Sequence, residues 1–179
     1  MSRFLLINIH MYLSAFFSAI VILVALSGGL YLLGYKGNME TTPVGVIDGG
    51  EALVADPSKD AVLSALAQAG ISDYDFDYVR ASGSRLYTRP TSRTHYLLEV
   101  KGDQIHVTER RPDLQGKMIE LHKGHGPSAF KIFQEIFAVG IVAIILTGLW
   151  LGLSAPRLRR QTALVSGAGL LVFGLLVSI

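Results

Sequence analysis

The sequence contains no cysteine and a single tryptophan among 179 residues. Without cysteine there are no disulfides, no thiolate nucleophile, no thiolate-ligated zinc and no iron–sulfur cluster. Acidic residues are missing before Glu40 and after Glu135, although the chain has 14 of them. Of the 16 basic residues only Arg3, Arg157, Arg159 and Arg160 lie outside Lys36 to Glu135. Three segments therefore carry no charge at all: Phe4 to Tyr35, Ile136 to Pro156 and Gln161 to Ile179. Each is long enough to cross a hydrocarbon core, which takes about 20 apolar residues. These runs exclude a purely soluble protein. A net charge of +2 supplies no field for a polyanion, so nucleic acid is not an expected partner.

Charge also predicts orientation. The middle of the chain carries 12 bases against 14 acids, a net of −2, and the remainder carries +4. Basic residues near membrane ends stay cytoplasmic, while long domains cross largely regardless of charge. Arg3 and the Pro156-Arg-Leu-Arg-Arg160 turn are separated by two crossings, so both fit the cytoplasmic side of a bacterial inner membrane. The expected organisation is a cytoplasmic N-terminus and first transmembrane helix at 1–35, then a periplasmic domain with linkers at 36–130. A second helix at 131–155, a cytoplasmic turn at 156–161 and a third helix at 162–179 follow, leaving the C-terminus periplasmic. Ala25-Leu26-Ser27 has the small residues of a signal-peptide cleavage site. Signal cores run about 7–15 residues, whereas this apolar run continues through Leu30, Leu32 and Leu33, as an anchor would.

Within the middle segment, residues 36–55 lack periodicity and read as a tether with one short strand around Val44 and Val46. Asp56-Pro57 is a predicted helix start, with Asp as N-cap and Pro at the first helical position. Val62, Leu63, Leu66 and Ala69 recur at helical spacing, and Gly70 stops the helix. Tyr74, Phe76 and Tyr78 alternate with Asp75 and Asp77, as on a strand. Further strands are predicted at 85–89, 93–100 and 104–109, with a tight hairpin at Lys101-Gly102-Asp103. A short amphipathic helix is expected over 114–121. One helix and three or four antiparallel strands would leave one sheet face wet.

Three short motifs now stand in order: His10-Met11-Tyr12-Leu13, Leu121-His122-Lys123-Gly124 and Leu146-Thr147-Gly148-Leu149-Trp150. Set around such a domain, they resemble the PepSY-associated transmembrane family, over nearly the whole chain. The resemblance implies a membrane α-helical protein with a small α+β PepSY-like extracytoplasmic domain. It also implies a link to iron reduction or respiratory electron transfer, with haem b held by histidines. Larger members of that family have more membrane helices and further histidines, whereas this chain has three such segments and 5 histidines.

Histidine is the one candidate ligand or acid–base group near the membrane. His10, about two turns into the first helix, is an intramembrane ionisable side chain and hence a functional candidate. An interfacial histidine bonded to a neighbouring helix or a headgroup is the alternative. His122 lies beyond the opposite face in this topology. A core of about 30 Å keeps His10 and His122 from sharing one iron, and neither later helix contains histidine. A haem at His10 would be five-coordinate or would take its second ligand from another chain. His122 and His125 would share a helical face at spacing three, but Gly124, Gly126 and Pro127 favour an irregular linker. If Val100 pairs with Gln104, His95 and His106 point to opposite faces, and both are expected at the surface. Arg80, Arg85, Arg89 and Arg93 would form a basic strip for an anionic partner or siderophore, or simply a solvated strand face. No catalytic set and no metal-binding cluster emerges from spacing.

Small residues mark close helix packing: Gly148 and Gly152, Ala163 and Gly167, Ser14 and Ser18. Beyond the lipid bilayer, they suit other membrane subunits or a second copy of the chain. Three functions remain open at this point. One is a non-catalytic accessory subunit of a membrane redox or respiratory complex. The second is a haem b-binding ferric or siderophore reductase using His10 and His122. The third, from the resemblance alone, is a regulator gripping an extracytoplasmic protease at its sheet edge.

Overall fold

A computed structural model describes residues 2–179, which form two compact units: 21–134, and 1–20 together with 135–179. Three helices are long and apolar enough to cross a membrane: α1 (Arg3–Leu32), α5 (Ser128–Leu153) and α6 (Arg159–Val177). Their mean hydropathies are 2.2, 2.5 and 1.5, so the last is the weakest span.

In the unit built from 1–20 and 135–179, aromatic rings fill the space that missing side chains leave. Phe17 is 3% exposed, and its ring lies so close to Gly140 that a Cβ there would sit 2.3 Å from Cε2. Phe137 packs on the same ring at 5.6 Å between centroids. Gly152 meets α6 instead, where its Cβ would stand 2.5 Å from Thr162 Oγ1. In lipid such close approach supplies the van der Waals contact that hydrophobic burial cannot.

The unit spanning 21–134 contains β1 (Met39–Asp48), α2 (Gly50–Ala55), α3 (Lys59–Gln68), β2 (Tyr78–Ser82), β3 (Arg85–Arg89), β4 (His95–Lys101), β5 (Gln104–Pro112) and α4 (Leu114–His122). The strands form one antiparallel sheet in the order β1-β5-β4-β3-β2. Val62, Ala65 and Leu66 recur at i, i+3 and i+4 on α3, which puts them on one stripe. They cover Leu86, Tyr96, Leu98, Val100, Ile105 and Val107, which alternate along the strands. Phe76 plugs this core from the loop before β2 and is fully buried.

Several expectations change here. The supposed tether forms a ten-residue strand, because Thr41, Thr42, Val46 and Ile47 find their partners on distant β5. Pro43 is tolerated on this edge strand, beside a register shift between Pro43 and Gly45. The N-cap of α3 is Ser58, whose hydroxyl accepts from the Ala61 amide at 3.2 Å. Asp56 instead follows the short helix α2 as its C-cap. Tyr74 and Phe76 do stack, at 5.9 Å, but in a loop; Tyr78 opens β2 and is 40% exposed.

Helix ends follow one device. Gly34, Gly70 and Gly124 each adopt positive φ after α1, α3 and α4. After α4 the Gly124 amide donates to Leu121 O and the His125 amide to Glu120 O. This paired pattern closes a helix with a left-handed residue, which glycine adopts without strain.

Candidate functional site

Two histidines are held in the same way on different helices. In the unit of 1–20 and 135–179, His10 Nδ1 lies 2.9 Å from Thr147 Oγ1. The Thr147 oxygen also lies 2.7 Å from Ala143 O and 3.0 Å from Ile144 O. Carbonyl oxygens only accept, so the single hydroxyl proton must point to them. The hydroxyl then accepts from His10, which assigns the imidazole proton to Nδ1 and leaves a lone pair on Nε2. Gly148 makes room for the ring, since a Cβ there would come within 3.1 Å of His10 Cε1.

The second instance lies in the unit of 21–134. His122, on the last turn of α4, places Nδ1 2.9 Å from Ser27 Oγ on α1. Ser27 is fully buried and directs its hydroxyl to Val24 O at 3.2 Å. With that proton on Val24 O, the Ser27 oxygen can accept from His122 Nδ1, the tautomer that leaves Nε2 with its lone pair. Gly28 faces the ring, with its would-be Cβ 3.5 Å from Cε1. A recess of about 440 Å³ opens beside His122, lined by Gly28, Tyr31, Leu32, Ile119 and Lys123. Gln115, in the first turn of α4, ties the other end of that helix down by donating to Ser27 O at 3.1 Å and Tyr35 O at 3.0 Å.

Both imidazoles are nitrogen donors of the kind that could hold haem iron, each oriented through Nδ1. Among the described residues no cluster of three or more histidines and carboxylates could hold a metal ion.

His125 is not brought to His122. The left-handed turn at Gly124 returns it to the sheet side, where Nδ1 donates to Glu120 Oε2 at 2.8 Å. Glu120 also accepts from Lys123 Nζ at 2.8 Å and from the Thr91 hydroxyl, and Arg89 Nη1 stands 3.9 Å away. Burial opposes ionisation of Glu120, but the hydrogen bonds from Lys123, Thr91 and His125 outweigh it and hold its pKa at about 2. Burial lowers the His125 pKa despite the Glu120 bond, so His125 is a neutral donor at pH 7. The Thr91 amide completes the joint by donating to His125 O at 3.1 Å.

His95 is buried, contrary to expectation, with Nδ1 3.0 Å from Arg93 O. Burial lowers its pKa, which makes it a neutral core side chain. Val100 pairs with Ile105 and Glu99 with His106, so His95 and His106 share a sheet face, although far apart along it. Of the basic strip, Arg80, Arg85 and Arg89 share one face of the β2–β3 pair. Arg85 pairs with Glu99 at 2.9 Å, Arg93 donates to Asp75 O, and Arg89 is 11% exposed at the Glu120 joint.

Of the small residues, Gly148 receives His10 and Gly152 receives Thr162. Gly167 has nothing within 4 Å, Ala163 is exposed, Ser14 is half-buried, and Ser18 hydrogen-bonds its own helix at Ala15 O. Gly140, Gly28 and Glu120 went unnoticed in the sequence, and Ser27 stood out only as part of a cleavage-site-like run. A hydroxyl residue followed by glycine, at Ser27-Gly28 and Thr147-Gly148, is the signal that could have found the two cradles.

No curated protein and no solved structure matches the chain. A family description, PepSY_TM-like, matches residues 77–179, which includes β2 to β5, the His122 segment, α5 and α6. With more than half of its length matched, this membrane protein belongs to the PepSY_TM-like family.

Proposed function

We propose that the protein is a haem-bearing subunit of a membrane redox assembly, unable to complete its own ligand sets. The carrying observation is the pair of matching cradles, Thr147-Gly148 around His10 and Ser27-Gly28 around His122. A structural histidine needs only a partner. These two also have the proton placed on the inner nitrogen and the outer one left bare. Haem b, when bound, supplies one-electron chemistry. The chain's own contribution is to orient each imidazole through Nδ1 and to pack its ring beside a glycine. The Nδ1 bond also raises ligand basicity. A haem at either ring would be five-coordinate or would take its second ligand from another chain. A second copy is the simplest donor.

In this reading Arg3 and Arg157 to Arg160 are cytoplasmic and the sheet domain is periplasmic, as the charge distribution favours. An accessory role without haem has one observation in its favour: α6 leaves Ala163 and Gly167 without a neighbouring helix, as a subunit contact would require. A dithionite-reduced spectrum of the purified full chain separates the two. A sharp b-type band lost in His10→Ala and His122→Ala is expected. A colourless protein that co-purifies with stoichiometric redox subunits would instead leave only the accessory role.

A further inference from the structure

Among the described residues, the four arginines outside the central segment make no ion pair. No acid precedes Glu40 or follows Glu135, and among the described residues every ion pair lies between Lys59 and His125. Two of these arginines also line cavities. Arg3 and Arg157 face a recess of about 480 Å³ at the turn Ala155–Leu158. Arg3 lines a second recess of about 370 Å³, whose remaining walls include Leu6, Leu146, Trp150 and Leu151. Arg3 is thus the residue common to a basic recess and an apolar one. Arg159 and Arg160 line neither.

We infer that Arg3 and Arg157 bind the phosphate of an anionic glycerophospholipid, with one acyl chain in the recess along Leu6, Leu146, Trp150 and Leu151. Guanidinium matches phosphate through parallel N–H···O bonds, which a diffuse surface potential does not supply. An acyl chain is the occupant that the surroundings provide to an apolar slot on membrane helices. Trp150, 65% exposed, lines the apolar recess, and tryptophan favours the membrane interface. His10 lines neither recess, although its partner Thr147 also lines the apolar one.

Native mass spectrometry of the full chain, released from micelles doped with dioleoyl phosphatidylglycerol or dioleoyl phosphatidylcholine, tests this directly. One phosphatidylglycerol is expected to stay bound, with phosphatidylcholine retained about tenfold less. The double variant Arg3→Ala/Arg157→Ala should lose that selectivity. Arg159→Ala/Arg160→Ala, which removes the same charge from residues outside the recesses, should keep it. Leu146→Trp, which fills the slot and leaves both arginines, should also lose the bound lipid. Equal losses in the two arginine doubles would show bulk surface attraction and overturn the site. Equal protection of the protein against thermal unfolding by inorganic phosphate without lipid would overturn it as well. Arg3 and Arg157 are exposed side chains, so their removal leaves the helices intact.

Discussion

Replacing Glu120 with Gln removes the hub that joins α4 to the sheet. The wild-type carboxylate has its pKa depressed from 4.5 to about 2, although burial alone would raise it. At 1.36 kcal/mol per unit, that depression means its hydrogen-bond partners stabilise the charged form by about 3 kcal/mol in the folded protein. The variant also leaves Arg89, 11% exposed, facing a neutral amide. Local opening of the 113–126 segment should therefore rise about a hundredfold at pH 7, measured by hydrogen exchange of the full chain in nanodiscs. The pH dependence has a definite sign. A depressed carboxylate pKa contributes fully above the unfolded value of about 4.5, and the contribution fades as pH falls toward about 2. Wild-type protection, corrected for intrinsic exchange, should drop through that window, and Glu120→Gln should be flat across it. Exchange in Glu120→Gln within threefold of wild type at pH 7 would refute the hub.

Gly140→Ala drives a methyl into the buried Phe17 ring and should cost about 1–3 kcal/mol, the usual range for overpacking. Gly167→Ala, with nothing within 4 Å, should leave the thermal midpoint of the detergent-solubilised monomer unchanged. Gly37 has φ +74°, and a Cβ there would sit 2.5 Å from the Gly116 amide, so Gly37→Ala should loosen the Asn38–Asp113 contact. Faster proteolysis between β5 and α4 is the readout. The absence of cysteine makes orientation testable with single introduced thiols. A membrane-impermeant maleimide should label Ser82→Cys in intact spheroplasts and Gln161→Cys only after lysis. The reverse pattern would invert the proposed topology.

What was legible in the sequence depended on the range of the interactions involved. Hairpins and the α3 stripe are local, and Lys101-Gly102-Asp103 closes its hairpin as predicted, although Lys101 and not Val100 stands opposite Gln104. Strand β1 was not legible, because its partner lies more than 50 residues away and Pro43 and Gly45 break its alternation. Residues 74–76 alternated like a strand, yet Phe76 is buried from a loop and β2 begins only at Tyr78. At Asp56-Pro57, two capping residues stood within three positions, and local propensity could not tell a C-cap from the N-cap at Ser58.

The histidines show the same division at the level of chemistry. His10 and His122 could be singled out because an ionisable group beside a long apolar run is costly unless partnered. Their partners were invisible, since a hydroxyl within helix-forming sequence usually returns its proton to its own backbone, as Thr147 does to Ala143. That back-bond, ordinarily a reason to disregard the hydroxyl, is what turns it into a pure acceptor. Valine at 147 keeps the shape but removes the acceptor, so ¹⁵N shifts of His10 in the membrane-embedded full chain should move from the Nδ1-protonated form toward a tautomer mixture. Serine should restore them. An unchanged Nδ1-protonated signal in Thr147→Val would mean that the ring's own surroundings set the tautomer. The case for a prepared ligand would then lose its physical basis, whatever the spectrum of the purified protein.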